Sequence, residues 1–165
     1  MIFLVNDANI LIDLLKIGLL DAFFHLEYDF QVTDMVVAEV QEDNVTDLLP
    51  YLEGGALTRQ GFSFDELLQI QQLQGSNPNL SVPDCSCLFL SSKVTATLLT
   101  GDAALRRAAE QNGIAVHGIL WIFDELVSAG LISAGEAHEK LSQLMELNPR
   151  LPVKECKRRL KSWGN

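Results

Sequence analysis

Within its first fifteen residues the sequence changes period. Ile2-Phe3-Leu4-Val5 is an unbroken apolar run with β-branched and aromatic members, the pattern of a central strand covered on both faces. It stops at Asn6-Asp7-Ala8-Asn9, after which apolar residues recur at helical spacing through Ile10, Leu11, Leu14 and Leu15. The alternation then repeats. Gly18 breaks the first helix, Leu19 to Leu26 reads as another, and Phe30-Gln31-Val32-Thr33 reads as a strand. Thr33 or Asp34 caps a helix carrying Val36, Val37 and Val40 on one side. Leu57 to Phe62 reads as a short strand, and Ser63-Phe64-Asp65-Glu66 is a capping box opening a helix to about Leu73. A loop at Gly75 to Asn79 and Pro83 precede Asp84 and the helix Cys85–Lys93; strand Thr95–Thr100, helix Ala103–Asn112 and strand Ile114–Val116 follow.

Strands separated by helices predict an α/β fold: three layers, α/β/α, around a mainly parallel sheet of four to five strands. Beyond Gly118 the pattern is all helical. One helix runs to about Ala129, a second capping box at Ser133–Glu136 opens another to about Leu147, and a basic helix follows Pro152. The expected organisation is therefore an α/β domain over 1–118 and a C-terminal helical extension over 119–165.

Charge is spread unevenly along the chain. The net charge is −10, yet residues 150–165 hold six basic groups and one acid, a segment of +5 that leaves −15 on residues 1–149. So acidic a body is not a general phosphate-backbone binder, because such binding rests on Lys and Arg. It suits a protein that gathers carboxylates around cations, with the tail as a separate contact surface. The three cysteines are too few for a disulfide framework, and Cys85 and Cys87 have neither zinc-knuckle nor redox spacing; they read as reduced core thiols. No apolar run approaches the roughly 20 residues of a membrane span and no signal peptide is visible, so the expected compartment is the cytoplasm.

Ligands of an open parallel sheet sit outside the carboxyl ends of its strands. Asp7 lies at that end of the first strand and Asp102 at that end of strand 95–100, so the two converge where those strands are neighbours. Glu39 borders the Val36/Val37/Val40 stripe, and Asp84 opens a helix with almost no polar face. Burying like charges together is costly unless cations neutralise them, and Mg²⁺ or Mn²⁺ prefers carboxylate oxygens. Each acid also has a plain structural reading: Asp84 and Asp102 as helix caps, Asp7 as an Asx-turn or cap, Glu39 as a solvated side chain. Asp13, Asp21, Asp29, Glu42 and Asp43 show no convergence and read as surface, and none of His25, His117 and His138 stands where it would activate a nucleophile.

The chain resembles the PIN-domain family of metal-dependent nucleases. The matching pieces, in family order, are Val5-Asn6-Asp7-Ala8-Asn9, Thr33 through Val37 leading to Glu39, Pro83-Asp84, and Leu98-Leu99-Thr100-Gly101-Asp102, over roughly 1–118. The resemblance implies an acidic pocket binding Mg²⁺ or Mn²⁺ through Asp7, Glu39, Asp84 and Asp102, with Asn9 and Thr100 as polar supports, and cleavage of RNA. It also implies a prokaryotic toxin paired with an antitoxin protein, and a dimer. Arg106 and Arg107, just after Asp102, are the candidate phosphate contacts. The alternative is the same fold kept as a non-catalytic RNA- or protein-binding module. A phosphate-accepting receiver or a dehalogenase-like phosphatase is disfavoured, because Asp7-Ala8-Asn9 and Thr100-Gly101-Asp102 supply neither the paired acids nor the Lys that those sites need.

Overall fold

In the computed structural model, which describes residues 1–42 and 47–164, five parallel strands form one sheet in the order β3-β2-β1-β4-β5. They are β1 (Phe3–Asn6), β2 (Asp29–Thr33), β3 (Leu57–Gln60), β4 (Thr97–Leu99) and β5 (Val116–His117). Leu4 and Val5 of the central strand are fully buried, as a run apolar on both faces demands. The chain steps outward from β1 through β2 to β3 on one side and through β4 to β5 on the other. The gap between β1 and β4 is therefore the point where the winding reverses, and it opens at the carboxyl ends of both strands.

Parity along the strands assigns the layers. Thr33 meets Ser86 of α6 (Val82–Val94), which sets α6 on the face shared by Asp7, Thr33 and Thr100. α5 (Phe64–Ser76) packs on α6. Phe30, an odd number of residues (three) before Thr33, points the other way and meets Phe23 at 4.8 Å, which sets α2 (Leu20–Phe24) on the opposite face. That face also carries α8 (Ile119–Ser128), which contacts α2 and β5. The remaining elements are α1 (Ala8–Lys16), α3 (Asp34–Glu42), α4 (Leu49–Glu53), α7 (Ala103–Gln111), α9 (Ala134–Leu147) and α10 (Val153–Trp163).

Several local differences from the sequence reading have clear causes. α6 begins at Val82, because Ser81 caps it and a proline is tolerated in the first turn, where its missing N–H would have no partner. β5 starts two residues late, since the Ile114 N–H returns to the Ala109 carbonyl as part of the α7 terminus. At Ser133 only one half of the capping box forms, the Ser133 hydroxyl accepting from the Glu136 N–H. Asp13 and Asp29 are not free surface acids: Asp13 accepts from Asn148 at 2.9 Å and Asp29 from Gln31 at 2.6 Å, and both are half-buried. The Glu42 side chain and Asp43 lie outside the described residues. Cys85, Cys87 and Cys156 are free and buried, and no helix among the described residues is long and apolar enough to cross a membrane.

Candidate metal centre at the carboxyl edge of the sheet

Asp7 is the floor of the site. It follows β1, its N–H continues the ladder to the Leu99 carbonyl at 3.0 Å, and the residue is only 3% exposed. Oδ1 accepts from the Ala8 N–H at 2.8 Å, so Asp7 also caps α1. Oδ2 accepts from the Thr100 hydroxyl at 2.7 Å and from Asn9 Nδ2 at 2.9 Å. Burial pushes its pKa up to about 6; the bonds from Thr100 and Ala8 oppose the rise, and the charges of Asp84 and Glu39 add to it.

Thr100 and Asn9 tie the two sides of the winding reversal together. Thr100 Oγ1 accepts from the Asp102 N–H at 3.0 Å, and Asn9 Oδ1 accepts from the Gly101 N–H at 3.1 Å. The polar supports expected from the sequence are thus bonded to Asp7, and they bridge β1 to the turn after β4. Asp102 itself caps α7, its Oδ1 accepting from the Leu105 N–H at 2.8 Å. Asp84 completes a capping box, its Oδ2 accepting from the Ser81 N–H at 3.0 Å while Ser81 accepts from the Asp84 N–H. Both capping acids keep one oxygen, Asp84 Oδ1 and Asp102 Oδ2, that accepts no hydrogen bond among the described residues.

Asp7, Glu39 and Asp84 converge electrostatically. All three raise the pKa of the Cys87 thiol, which burial already holds well above its usual range. Glu39 is exposed, on the turn of α3 whose Val36, Val37 and Val40 are fully buried. Asp102 joins them through the bond from its N–H to Thr100. Among the described residues no three His, Cys, Asp or Glu side chains close on a common point within coordination reach. The donor chemistry nonetheless fits a hard divalent cation: the acids are all-oxygen ligands, one is buried with its charge opposed, and two present an unused oxygen.

Of the two candidate phosphate contacts, Arg106 reaches the site edge. Its Nη2 lies over Gly118, 3.3 Å from where a Cβ would stand, and that Cβ position is 3.6 Å from the Thr100 carbonyl. Burial and the Arg106 charge both lower the pKa of His117, whose ring stacks on Trp121 at 4.4 Å. Arg107 instead lines a crevice with Asn77, Asn79 and Leu80 at the loop before α6. A larger cavity of about 570 Å³ between α5 and α6 contains none of the four acids. The sequence reading passed over Ser81 and Ser86. Ser81 had a signal, the Ser-x-x-Asp box of Ser81 and Asp84; the Thr33–Ser86 bond, at 2.8 Å, depends on tertiary packing alone.

The family model DUF3368, described as a PIN domain, matches residues 3–165. The chain belongs to the PIN-domain family. Members of this family are generally nucleases. The match takes in the C-terminal helices as well as the sheet. Among solved structures the PIN domain is similar to a PilT N-terminus domain protein from the hyperthermophilic archaeon Sulfolobus solfataricus P2. The identity is 17% and the TM-score 0.55, over 76% of this chain and 94% of that one, a likeness of fold. No curated protein matches.

Proposed function

We propose that this PIN domain is a Mg²⁺- or Mn²⁺-dependent endoribonuclease that hydrolyses RNA phosphodiesters. The observation that carries the reading is Asp7: a carboxylate 3% exposed, with a pKa of about 6, beneath the charges of Asp84 and Glu39. A fold that spends stability to hold a carboxylate in this way gains from a cation there. When bound, a divalent ion would neutralise these acids, lower the pKa of a water and stabilise a leaving oxygen. Asp7 would hold it from the floor, with Asp84, Asp102 and Glu39 as further oxygen donors. Thr100 and Asn9 keep the Asp7 carboxylate oriented, and Arg106 would meet the scissile phosphate.

The test is incubation of the purified protein with RNA and Mn²⁺. Cleavage by the parent and its loss in Asp7→Asn are expected; equal cleavage by both removes Asp7 from the chemistry. In the cell we place the enzyme in the cytoplasm as the toxin of a toxin–antitoxin pair, acting as a dimer and restrained by an antitoxin protein that covers the acidic edge. Co-expression with the product of an adjacent small open reading frame, followed by an RNA-cleavage assay, checks that role.

One observation favours a second reading, a non-catalytic binding module: Asp84 and Asp102 both serve as helix caps. Calorimetric titration with Mg²⁺ and Mn²⁺ separates the two, because a module without a cation site gives no binding heat.

A further inference from the structure

The last helix has two faces of opposite character. Cys156 is buried and Arg159, Leu160 and Trp163 are half-buried against the rest of the molecule, at positions i, i+3, i+4 and i+7. Trp163 packs 6.0 Å from Phe123 of α8, and Arg159 grips Asp124 with Nε at 2.9 Å and Nη2 at 2.7 Å. The helix is therefore docked in one orientation. Its other face carries Lys154, Lys157, Arg158 and Lys161, again at i, i+3, i+4 and i+7, all exposed. Only Arg158 of these four has an ion-pair partner among the described residues, the neighbouring Glu155.

We propose that this stripe is a binding site for the phosphate backbone of single-stranded RNA, separate from the carboxyl edge of the sheet. It takes its choice of RNA from the ribonuclease reading. The four cations span roughly 10 Å along the helix axis. The four positions hold no apolar side chain, and Val153 is the one large apolar residue exposed on this helix among the described residues, whereas protein interfaces are built around clustered apolar and aromatic anchors. A phosphate chain needs only the charge. Elsewhere the cations are sparse against an acidic body: residues 1–149 carry −15, and of their six cations Arg59 and Lys93 are paired with Asp34 and Glu66. A polyanion approaching such a body needs one fixed cationic surface to hold it.

The test is fluorescence anisotropy with a labelled single-stranded RNA of about 20 nucleotides, in EDTA so that binding is read without cleavage. The variant K154Q/K157Q/K161Q is compared with a control of equal net charge, in which exposed Gln71, Gln72 and Gln143 become Glu. The stripe variant is expected to bind at least tenfold more weakly than the parent, with its log–log salt slope shallower by about 2, as for three lost contacts to a single strand. The control should bind within about threefold of the parent, so that net charge alone does not account for the loss. Equal weakening of both variants, or no RNA binding by the parent, overturns the proposal. So does a variant that keeps its RNA affinity but changes oligomeric state, which would make the stripe a contact for Glu136, Glu139 and Glu146 on a second copy. Parent binding that depends on the stripe, without any cleavage once Mn²⁺ is added, keeps this site and sinks the ribonuclease reading instead.

Discussion

The Thr100 hydroxyl donates to Asp7 Oδ2 at 2.7 Å, and Thr100 Oγ1 in turn accepts from the Asp102 N–H at 3.0 Å. One side chain thus orients the floor carboxylate and fixes the turn that presents Asp102. Replacing it by Val leaves a partly buried N–H without its partner and removes a bond that holds the Asp7 pKa down. Thr100→Val should cost about 1–3 kcal/mol at pH 7 in denaturant unfolding and carry the Asp7 titration, followed by carboxyl NMR, above about 6. Thr100→Ser should restore both. A Val variant with an unmoved Asp7 titration would mean that the hydroxyl does not control that carboxylate.

Asp7 also sets a pH dependence of stability. Its pKa rises from 3.8 to about 6 on folding, so the folded state holds a proton that the unfolded chain releases. The associated stability is fully present below pH 3.8 and is lost as pH rises through about 6. The shift corresponds to about 3 kcal/mol. In EDTA, the difference in unfolding free energy between the parent and Asp7→Asn should change by that order between pH 4 and pH 7, with the parent losing ground as pH rises. Millimolar Mg²⁺ or Mn²⁺ at pH 8 should recover stability in the parent and not in the variant. A flat difference across this range shows that the buried carboxylate is not opposed as described.

Asp84 has two tasks that mutagenesis can separate. Ser81→Ala breaks the capping box and leaves the carboxylate in place; it should cost about 1 kcal/mol and preserve Mn²⁺-dependent cleavage. Asp84→Asn weakens the same cap by a similar amount, but should lower cleavage by about tenfold or more, the scale on which even outer partners of a bound metal act. Equal activity in the two variants would confine Asp84 to capping.

Arg106 stands where Gly118 leaves room for its guanidinium beside the Thr100 carbonyl. No acid pairs with it among the described residues, so Arg106→Gln should change stability by less than about 0.5 kcal/mol. Under the ribonuclease reading it should raise KM for RNA several-fold, while Arg107→Gln, facing the loop before α6, leaves kinetics unchanged. The converse ranking in steady-state assays would move the phosphate contact to the other side of α7.

What the sequence made legible were features set by neighbouring residues. The apolar run ending at Asn6-Asp7, the Thr33 cap that accepts from the Val36 N–H at 3.1 Å, and the Ser63–Glu66 box all formed. The meeting of Asp7 with the turn at Asp102 followed from topology, since parallel neighbours present the same end. α4 gave no signal, for five residues with Pro50 in the first turn and no side-chain cap hold too little of a period. The path of Arg106 across Gly118 and the grip of Arg159 on Asp124 were hidden as well, because their partners lie 12 and 35 residues away and come together only through packing.

That last grip is what makes the basic tail part of the fold. Arg159 is 16% exposed and meets Asp124 through two parallel bonds, but Asp124 is 45% exposed, so water screens the pair. The cost of Arg159→Ala should therefore lie near 1–2 kcal/mol, between a surface pair and a buried one. Those bonds tie α10 to α8 while its main packing is on α9, so α10 should open locally before the sheet does. Hydrogen exchange should show faster amides in Val153–Trp163 with β1 and β4 unchanged. Arg159→Lys should not restore protection, because an ammonium cannot make both bonds at once. A double-mutant cycle with Asp124→Ala that gives no coupling would leave Trp163 and Cys156 as the elements that hold the helix down.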